Sequence, residues 1–257
     1  MKRSLALTLS AMLLGALVGL CAAPAVAAEF TPEQKTEIEA IMKDYLIHNP
    51  DVLRAAIDAL DKHDKQVEAE ARQSVVADQA GALFSSAHQA NVGNPKADAT
   101  LVEFFDYNCH FCKGALPDMA KLLQGDPNLK LVLKDFPVLG PGSVEAAKVA
   151  SAVRNQLHGD KFWQFHVKLL GSHGPIGKAE ALAVAKDMGV DMDKLAKDME
   201  SPDITTGLQE VMRMADALQI NGTPSFVVGQ DVVVGAVGYD SLKEKIDSVH
   251  KCGHAVC

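Results

Sequence analysis

The chain has 257 residues, 48% of them hydrophobic, with 25 Lys and Arg against 33 Asp and Glu and a formal net charge of −8 at pH 7. That length and apolar content suit one compact domain with an accessory segment, and they exclude a wholly disordered or fibrous chain. An acidic chain without a basic stripe excludes nucleic acid as the partner its surface is built to hold.

Residues 1–28 read as an export signal. Lys2 and Arg3 give a basic start, Leu5 to Leu20 is apolar, and Ala25-Val26-Ala27-Ala28 supplies small residues for cleavage. The apolar run is too short and wrongly flanked for a transmembrane anchor. Leu20 is large where a lipid-attachment site would carry a small residue, so Cys21 is expected to leave with the signal. Cleavage takes the formal charge from −8 to −10 by removing Lys2 and Arg3, and it leaves four of the 5 cysteines. An even number of cysteines suits an oxidising compartment, so the mature chain is expected to be exported to one.

Residues 29–88 read as an N-terminal helical segment. Thr31-Pro32-Glu33-Gln34 is a helix start, with Thr31 as N-cap, Pro32 at the first helical position and Gln34 closing a capping box. Ile38, Ile41, Tyr45 and Leu46 share one face, and Asn49-Pro50 opens a second helix with Asn49 as its cap. Along it Leu53, Leu60, Val67 and Ser74 recur every seven residues, with Ile57, Asp64 and Ala71 between them. Self-association would bury these faces; the alternative is that the helices fold back onto the rest of the chain. Charged residues such as Lys62, Asp64, Lys65, Glu68 and Glu70 suit an exposed extension, so oligomerisation is expected.

Residues 89–142 carry the chemistry. Asn91-Val92-Gly93-Asn94-Pro95 reads as a turn-rich joint and Leu101-Val102-Glu103-Phe104-Phe105 as a buried strand. Tyr107-Asn108-Cys109-His110-Phe111-Cys112 follows, with a helix expected over 110–124. Cys109 then stands at a helix N-terminus, where free backbone N–H groups and the macrodipole favour a thiolate. His110, when protonated, would favour it further. Cys109 is the expected nucleophile and Cys112, one helical turn on, the resolving thiol. A Cys-x-x-Cys is also half of a zinc knuckle, but a knuckle needs two further ligands at similar spacing, and no second Cys-x-x-Cys is present. Asn128 to Lys134 reads as a second strand, making a parallel crossover with the reactive pair at the carboxyl end of the first.

Residues 143–218 read as successive helices: Ala146, Ala150, Val153 and Leu157 share one face, and Phe162, Phe165 (or His166) and Leu169 mark the next. Residues 219–257 return to the sheet, with Thr223-Pro224-Ser225-Phe226-Val227-Val228 and Asp231 to Val234 as antiparallel strands, then a helix from Ser241 to His250. Cys252 and Cys257 close the chain. They are expected to form a structural disulfide; with His254 they could instead make a two-thiolate, one-imidazole site for a soft metal such as copper.

Cys-x-x-Cys opening a helix, Gly222-Thr223-Pro224 before a strand, and a helical block between the sheet halves together resemble the DsbA-type thioredoxin fold over roughly residues 90–250. Phe30 to Leu60 resembles the amino-terminal segment of the suppressor-of-copper-sensitivity protein C (ScsC) family. The implied fold is α/β: a thioredoxin fold with an inserted helical domain, preceded by an N-terminal helical oligomerisation segment. By resemblance Pro224 is a cis-proline facing the thiols, with Thr223 giving backbone hydrogen bonds to an extended substrate. Phe111 is assigned to substrate contact with them. Glu103 either points outward at a strand edge or is a buried acid near the thiols; the resemblance implies the latter, assisting proton movement with Lys134 as partner. No cofactor or metal is called for.

The expected function is disulfide isomerisation or reduction on exported proteins, with a membrane-bound disulfide reductase as electron donor and a homo-oligomer, which the resemblance makes a trimer. The alternatives are a dithiol oxidase using the same residues, a copper-binding protein using the terminal Cys-His-Cys cluster, and a holdase using the helical segment.

Overall fold

Five strands form one mixed sheet in a computed structural model that describes residues 30–257; the expected export signal, 1–28, lies outside the described residues. The chain divides into two units, Met1–Leu60 and Asp61–Cys257. In the first, helix α1 (Pro32–His48) begins at a capping box: Gln34 N–H donates to Thr31 Oγ1 at 3.3 Å, and Thr31 N–H donates to Gln34 Oε1 at 2.9 Å. Asn49, expected to cap the second helix, instead donates its side-chain amide to the Tyr45 carbonyl at 2.8 Å and closes α1. An amide NH2 suits the unpaired carbonyls at a helix end. No residue of α1 is buried, and Ile41, Tyr45, Ile57 and Leu60 are all more than half exposed.

Helix α2 (Pro50–Asp78) crosses the division, and its last turns and α3 (Ala80–Ser85) belong to the second unit. Val76 and Leu83 are fully buried against the sheet, so the expected 29–88 segment does not end as a separate piece. Two lysines of one strand face tie α3 down: Lys134 Nζ donates to the Ala82 carbonyl at 2.6 Å and Lys130 Nζ to the Phe84 carbonyl at 3.2 Å. Cations on the carbonyls of a helix end are favoured there.

The strands are β1 (Ala90–Gly93), β2 (Ala99–Phe105), β3 (Leu129–Asp135), β4 (Ser225–Val228) and β5 (Asp231–Val234), in the order β1-β3-β2-β4-β5. The stretch expected as a joint at Asn91 is therefore strand β1, antiparallel to β3. Its four residues are too few and too polar to signal a strand alone; pairing with a buried neighbour makes it one. Gly93 ends it at φ +80°, where a Cβ would lie 2.5 Å from the Leu129 carbonyl oxygen. Helix α4 (His110–Gly125) carries β2 over to β3, and those two strands are parallel.

Both faces of β2 and β3 are covered, which explains their nearly continuous apolar runs. Leu101, Phe105, Leu131 and Leu133 face α4 and most of the inserted helices. Val102, Phe104 and Val132 face Val76, Leu83, Val211 and Met214. The insertion comprises α5 (Pro141–Val153), α6 (Asp160–Leu170), α7 (Lys178–Asp187), α8 (Met192–Met199) and α9 (Pro202–Ala217), and α10 (Tyr239–Cys252) closes the fold. His88, entering β1, accepts no side chain in its way at Gly207, whose added Cβ would meet His88 Cβ at 2.8 Å. Its ring nitrogens contact Glu210 and Asp203 of α9, each at 2.9 Å.

Candidate active site

Helix α4 buries Cys112, Ala115, Met119 and Leu122, a spacing of one helical face, and this fixes where its first turn stands. Cys109 is the N-cap, with extended backbone, and its sulfur accepts from the Cys112 backbone N–H at 3.4 Å. On the other side the Thr223 carbonyl lies 3.1 Å from Cys109 Sγ, and the Thr223–Pro224 bond is cis. The structure thus brings together Cys109, Cys112, Thr223 and Pro224 from β2–α4 and the start of β4.

Proton sharing divides the two thiols. The Cys112 thiol donates to Cys109, and the Thr223 side chain and the Cys112 and Phe111 backbone N–H groups add to it, bringing Cys109 down to about 5 against the opposing cost of burial. Cys112 is pushed far up by that same donated hydrogen bond, then by burial and the Glu103 charge. Cys109, 4% exposed against 0% for Cys112, is the nucleophile, and Cys112 holds its proton. His110 is exposed, its ring 5.8 Å from Phe111, and the groups that hold the thiolate are Cys112, Thr223 and backbone amides rather than this imidazole. Alkylation of the reduced protein by iodoacetamide is expected to titrate near pH 5 at Cys109 and to spare Cys112 up to pH 8. A midpoint above pH 7, read by mass spectrometry of the labelled peptide, would remove the helix-end account of this thiol.

The turn before Cys109 is held by two residues that no sequence motif flagged. Asp106 Oδ1 accepts from the Asn108 N–H at 2.8 Å and the Ser143 hydroxyl at 2.7 Å, and Oδ2 accepts from the Val138 and Leu139 N–H groups at 2.8 and 3.0 Å. Asn108 pairs with the Ile176 backbone in both directions at 2.7 Å. The insertion and the loop after β3 are therefore fastened to the reactive turn. Phe111, Val138 and Leu139 remain exposed, Phe111 by 64%, and present apolar surface on α4 and that loop. An Asp or Asn near a Cys-x-x-Cys carries no signal until its distant partners are known.

Glu103 is 1% exposed, which settles it as a buried group. Burial, then the Cys109 charge, lift its carboxyl to about 8. Lys134 is not its partner. Parallel register sets Glu103 against Leu133 and Phe104 against Lys134, so the acid and the lysine point to opposite faces. Lys134 instead binds α3, and burial lowers it to about 8.

Cys252 and Cys257 are joined in a disulfide at the chain end, far in sequence from the reactive pair. A copper site there would need both sulfurs as thiolates. Among the described residues no group of three or more His, Cys, Asp and Glu side chains is placed to hold a metal ion, and no helix is long and apolar enough to cross a membrane.

Residues 100–247 match the family described as DSBA-like thioredoxin domain, and residues 34–66 match the copper resistance protein ScsC N-terminal domain. A thioredoxin-like oxidoreductase from Silicibacter pomeroyi is 39% identical, with a TM-score of 0.63 over 67% of this chain and 98% of its own. Proteus mirabilis ScsC in a transitional conformation is 28% identical, with a TM-score of 0.63 over 85% of this chain and 98% of its own. A probable disulfide bond formation protein D of Bacillus cereus is 25% identical over 66% of this chain and 82% of its length. The chain also matches a Na(+)/H(+) antiporter NhaA 1 of Salinispora arenicola, 27% identical over 61% of this chain, but it spans only 24% of that protein's length.

Proposed function

The chain belongs to the DsbA-like thioredoxin-domain family, and from that premise we propose that it is a periplasmic protein disulfide isomerase and reductase that assembles through its N-terminal helices. Thiol–disulfide exchange with protein substrates is the chemistry of the family, and the observation that carries it here is the Cys109 sulfur held between the Cys112 N–H and the Thr223 carbonyl. Cys109 thiolate attacks one sulfur of a substrate disulfide, forming a mixed disulfide and releasing the other sulfur as a thiolate. A second substrate thiol then displaces Cys109, which reshuffles the substrate, or Cys112 attacks Cys109 Sγ and displaces the substrate thiolate, which leaves the substrate reduced and Cys109 and Cys112 joined as a disulfide. Glu103 takes the Cys112 proton in that second case. Thr223 and Pro224 offer the edge along which an extended substrate lies, and Phe111, beside His110, gives it apolar contact.

Isomerisation requires Cys109 to stay reduced, so a membrane-bound disulfide reductase is the proposed electron donor. The exposed apolar positions Ile41, Tyr45, Ile57 and Leu60 support assembly, because single copies would leave them in water. Their stretch falls largely within the match to the ScsC N-terminal domain, and the proposed assembly is a homotrimer.

The test is sedimentation and scrambled-disulfide refolding on the mature chain and on a chain beginning at Asp61. The mature chain is expected to be an oligomer that rescues scrambled substrate. The shortened chain is expected to be a monomer that oxidises dithiols and reshuffles at least about 10²-fold more slowly, the lower end of the gain that linked sites give. Two monomers, neither reshuffling, would leave a dithiol oxidase acting through the same cysteines.

A further inference from the structure

Under the thiol pair, on the sheet face that carries α4, lies a set of buried polar groups that the exchange described above does not use. Parallel pairing sets Glu103 opposite Leu133 and Phe105 opposite Asp135, so Glu103 and Asp135 are diagonal neighbours on one face of adjacent strands. Strand spacing and rise place such backbones on the order of 8 Å apart, and the Glu103 and Asp135 charges both act on Tyr107, which ties the two acids to one phenol. Tyr107 packs its ring 5.0 Å from Phe105 and 5.6 Å from His166. From α5 and its end, the Ser151 hydroxyl reaches Asp135 Oδ2 at 3.5 Å, and Arg154 Nε donates to the Ser151 carbonyl at 3.4 Å.

Tyr107 Oη, Asp135 Oδ1, Arg154 Nη1 and both ring nitrogens of His166 are buried and have no hydrogen-bond partner among the described residues. They are complementary: a guanidinium that donates, a carboxylate that accepts, and a phenol and an imidazole that do both. Buried groups of this kind are satisfied by internal water making about two to four hydrogen bonds each. Leaving several bare would cost about 1–3 kcal/mol apiece.

We propose that Asp135, with Tyr107 and Arg154, forms a water-bridged proton outlet for Glu103, which makes Asp135 a positioning residue of the step in which Cys112 resolves the mixed disulfide. The proposal rests on Glu103 as the base for Cys112. Glu103 carboxylate takes the Cys112 thiol proton; Cys112 thiolate attacks Cys109 Sγ, the mixed disulfide breaks, and the Cys109–Cys112 disulfide forms. The substrate sulfur leaves with the electron pair and takes a proton from solvent, while the proton on Glu103 passes by water to Asp135 and out. Asp135 is 6% exposed against 1% for Glu103 and Tyr107, so it is the group of the three nearest solvent. Burial lifts Asp135 to about 6 while Arg154 opposes, which lets it shed a proton at neutral pH. The titratable and charged groups on this side are Glu103, Asp106, Tyr107, Cys109, Cys112, Asp135, Arg154 and His166. Burial holds His166 neutral, near 3, so it serves as a fixed donor and acceptor.

The test measures release of substrate from a preformed mixed disulfide on the full chain by rapid quench, from pH 5 to 9. Asp135→Asn is expected to slow release about tenfold at pH 7, less than the roughly 10²–10⁴-fold of a group that transfers the proton directly, because Asp135 acts through Glu103. Added imidazole should restore the rate, Asp135→Glu should retain it, and the alkylation midpoint of Cys109 should not move. A pH profile of Asp135→Asn that superimposes on that of the parent, or slow release that imidazole does not restore, overturns the outlet. Glu103→Gln separates the two readings: if it slows release and Asp135→Asn does not, the outlet falls and the base stands. If neither slows release, both fall.

Discussion

Replacing Cys109 with Ser is expected to reduce disulfide exchange to the level of the uncatalysed reaction, whereas Cys112→Ser is expected to keep attack and lose release by an internal thiol. The asymmetry follows from the proton between them. Cys109 is the N-cap of α4 and accepts from the Cys112 N–H, so at pH 7 it is the thiolate and the attacking atom. Serine has no accessible oxyanion at that pH, and the helix end cannot supply one. With Cys112→Ser the attack still proceeds, because backbone amides and Thr223 still hold Cys109, but the donated thiol hydrogen bond changes to a hydroxyl one. The mixed disulfide then has no internal thiol to resolve it and should accumulate as a protein–substrate adduct on non-reducing gels. The Cys109→Ser protein should form no such adduct with the same substrate. Equal trapping by both variants would mean that Cys112 can attack, and the assignment of roles would be reversed.

How much of this was legible in the chain depends on how far each signal reaches. The start of α4 was legible because Cys109, the apolar strand before it and the spacing of Cys112, Ala115, Met119 and Leu122 are local. The side of the sheet on which Lys134 lies was not. Two fully buried parallel strands show no polar alternation, so a lysine near an acid in the next strand can face either way, and the register decides. Strand β1 was missed for a related reason: four residues including Asn91 and Gly93 read as a turn until β3 is beside them. Asp106 and Asn108 organise the reactive turn through Val138, Leu139, Ser143 and Ile176, none of which is near them in sequence. The buried set around Asp135 draws on β2, β3, α5 and α6, and is visible only once those elements pack.

The depressed Cys109 and the exposed helices bear on different questions. A thiolate stabilised in the dithiol form favours reduction of this centre by its partners, and that holds for an oxidase as for an isomerase. The choice between them therefore rests on whether the chain assembles, which would hold several thiolates around one substrate, and on whether a donor keeps them reduced. Ile41, Tyr45, Ile57 and Leu60 fall within the unit Met1–Leu60 and Cys109 within Asp61–Cys257, so a chain beginning at Asp61 tests assembly apart from the thiol chemistry.

Glu103→Gln separates stability from chemistry in the same way, and its expected effects have opposite signs. A carboxyl whose folded value is about 8, against 4.5 when unfolded, keeps a proton in the folded chain that the unfolded chain has already lost. Between those two pH values the folded state binds more protons, so stability falls as pH rises through the window. Glutamine cannot ionise and loses that slope. The variant is expected to be more stable than the parent by on the order of 3 kcal/mol at pH 7, with the two converging below pH 4.5, as read by denaturant unfolding at several pH values. The gain should be larger in the reduced protein, since the Cys109 thiolate adds to burial in lifting the carboxyl and is absent from the Cys109–Cys112 disulfide. Release of a mixed disulfide by Cys112 should meanwhile slow by about 10²-fold, because the thiol loses the base that takes its proton. A parent and variant with the same pH dependence of stability would place the carboxyl in contact with water and remove it from the reaction. A buried acid that costs the fold this much at neutral pH is kept where a proton has to be moved.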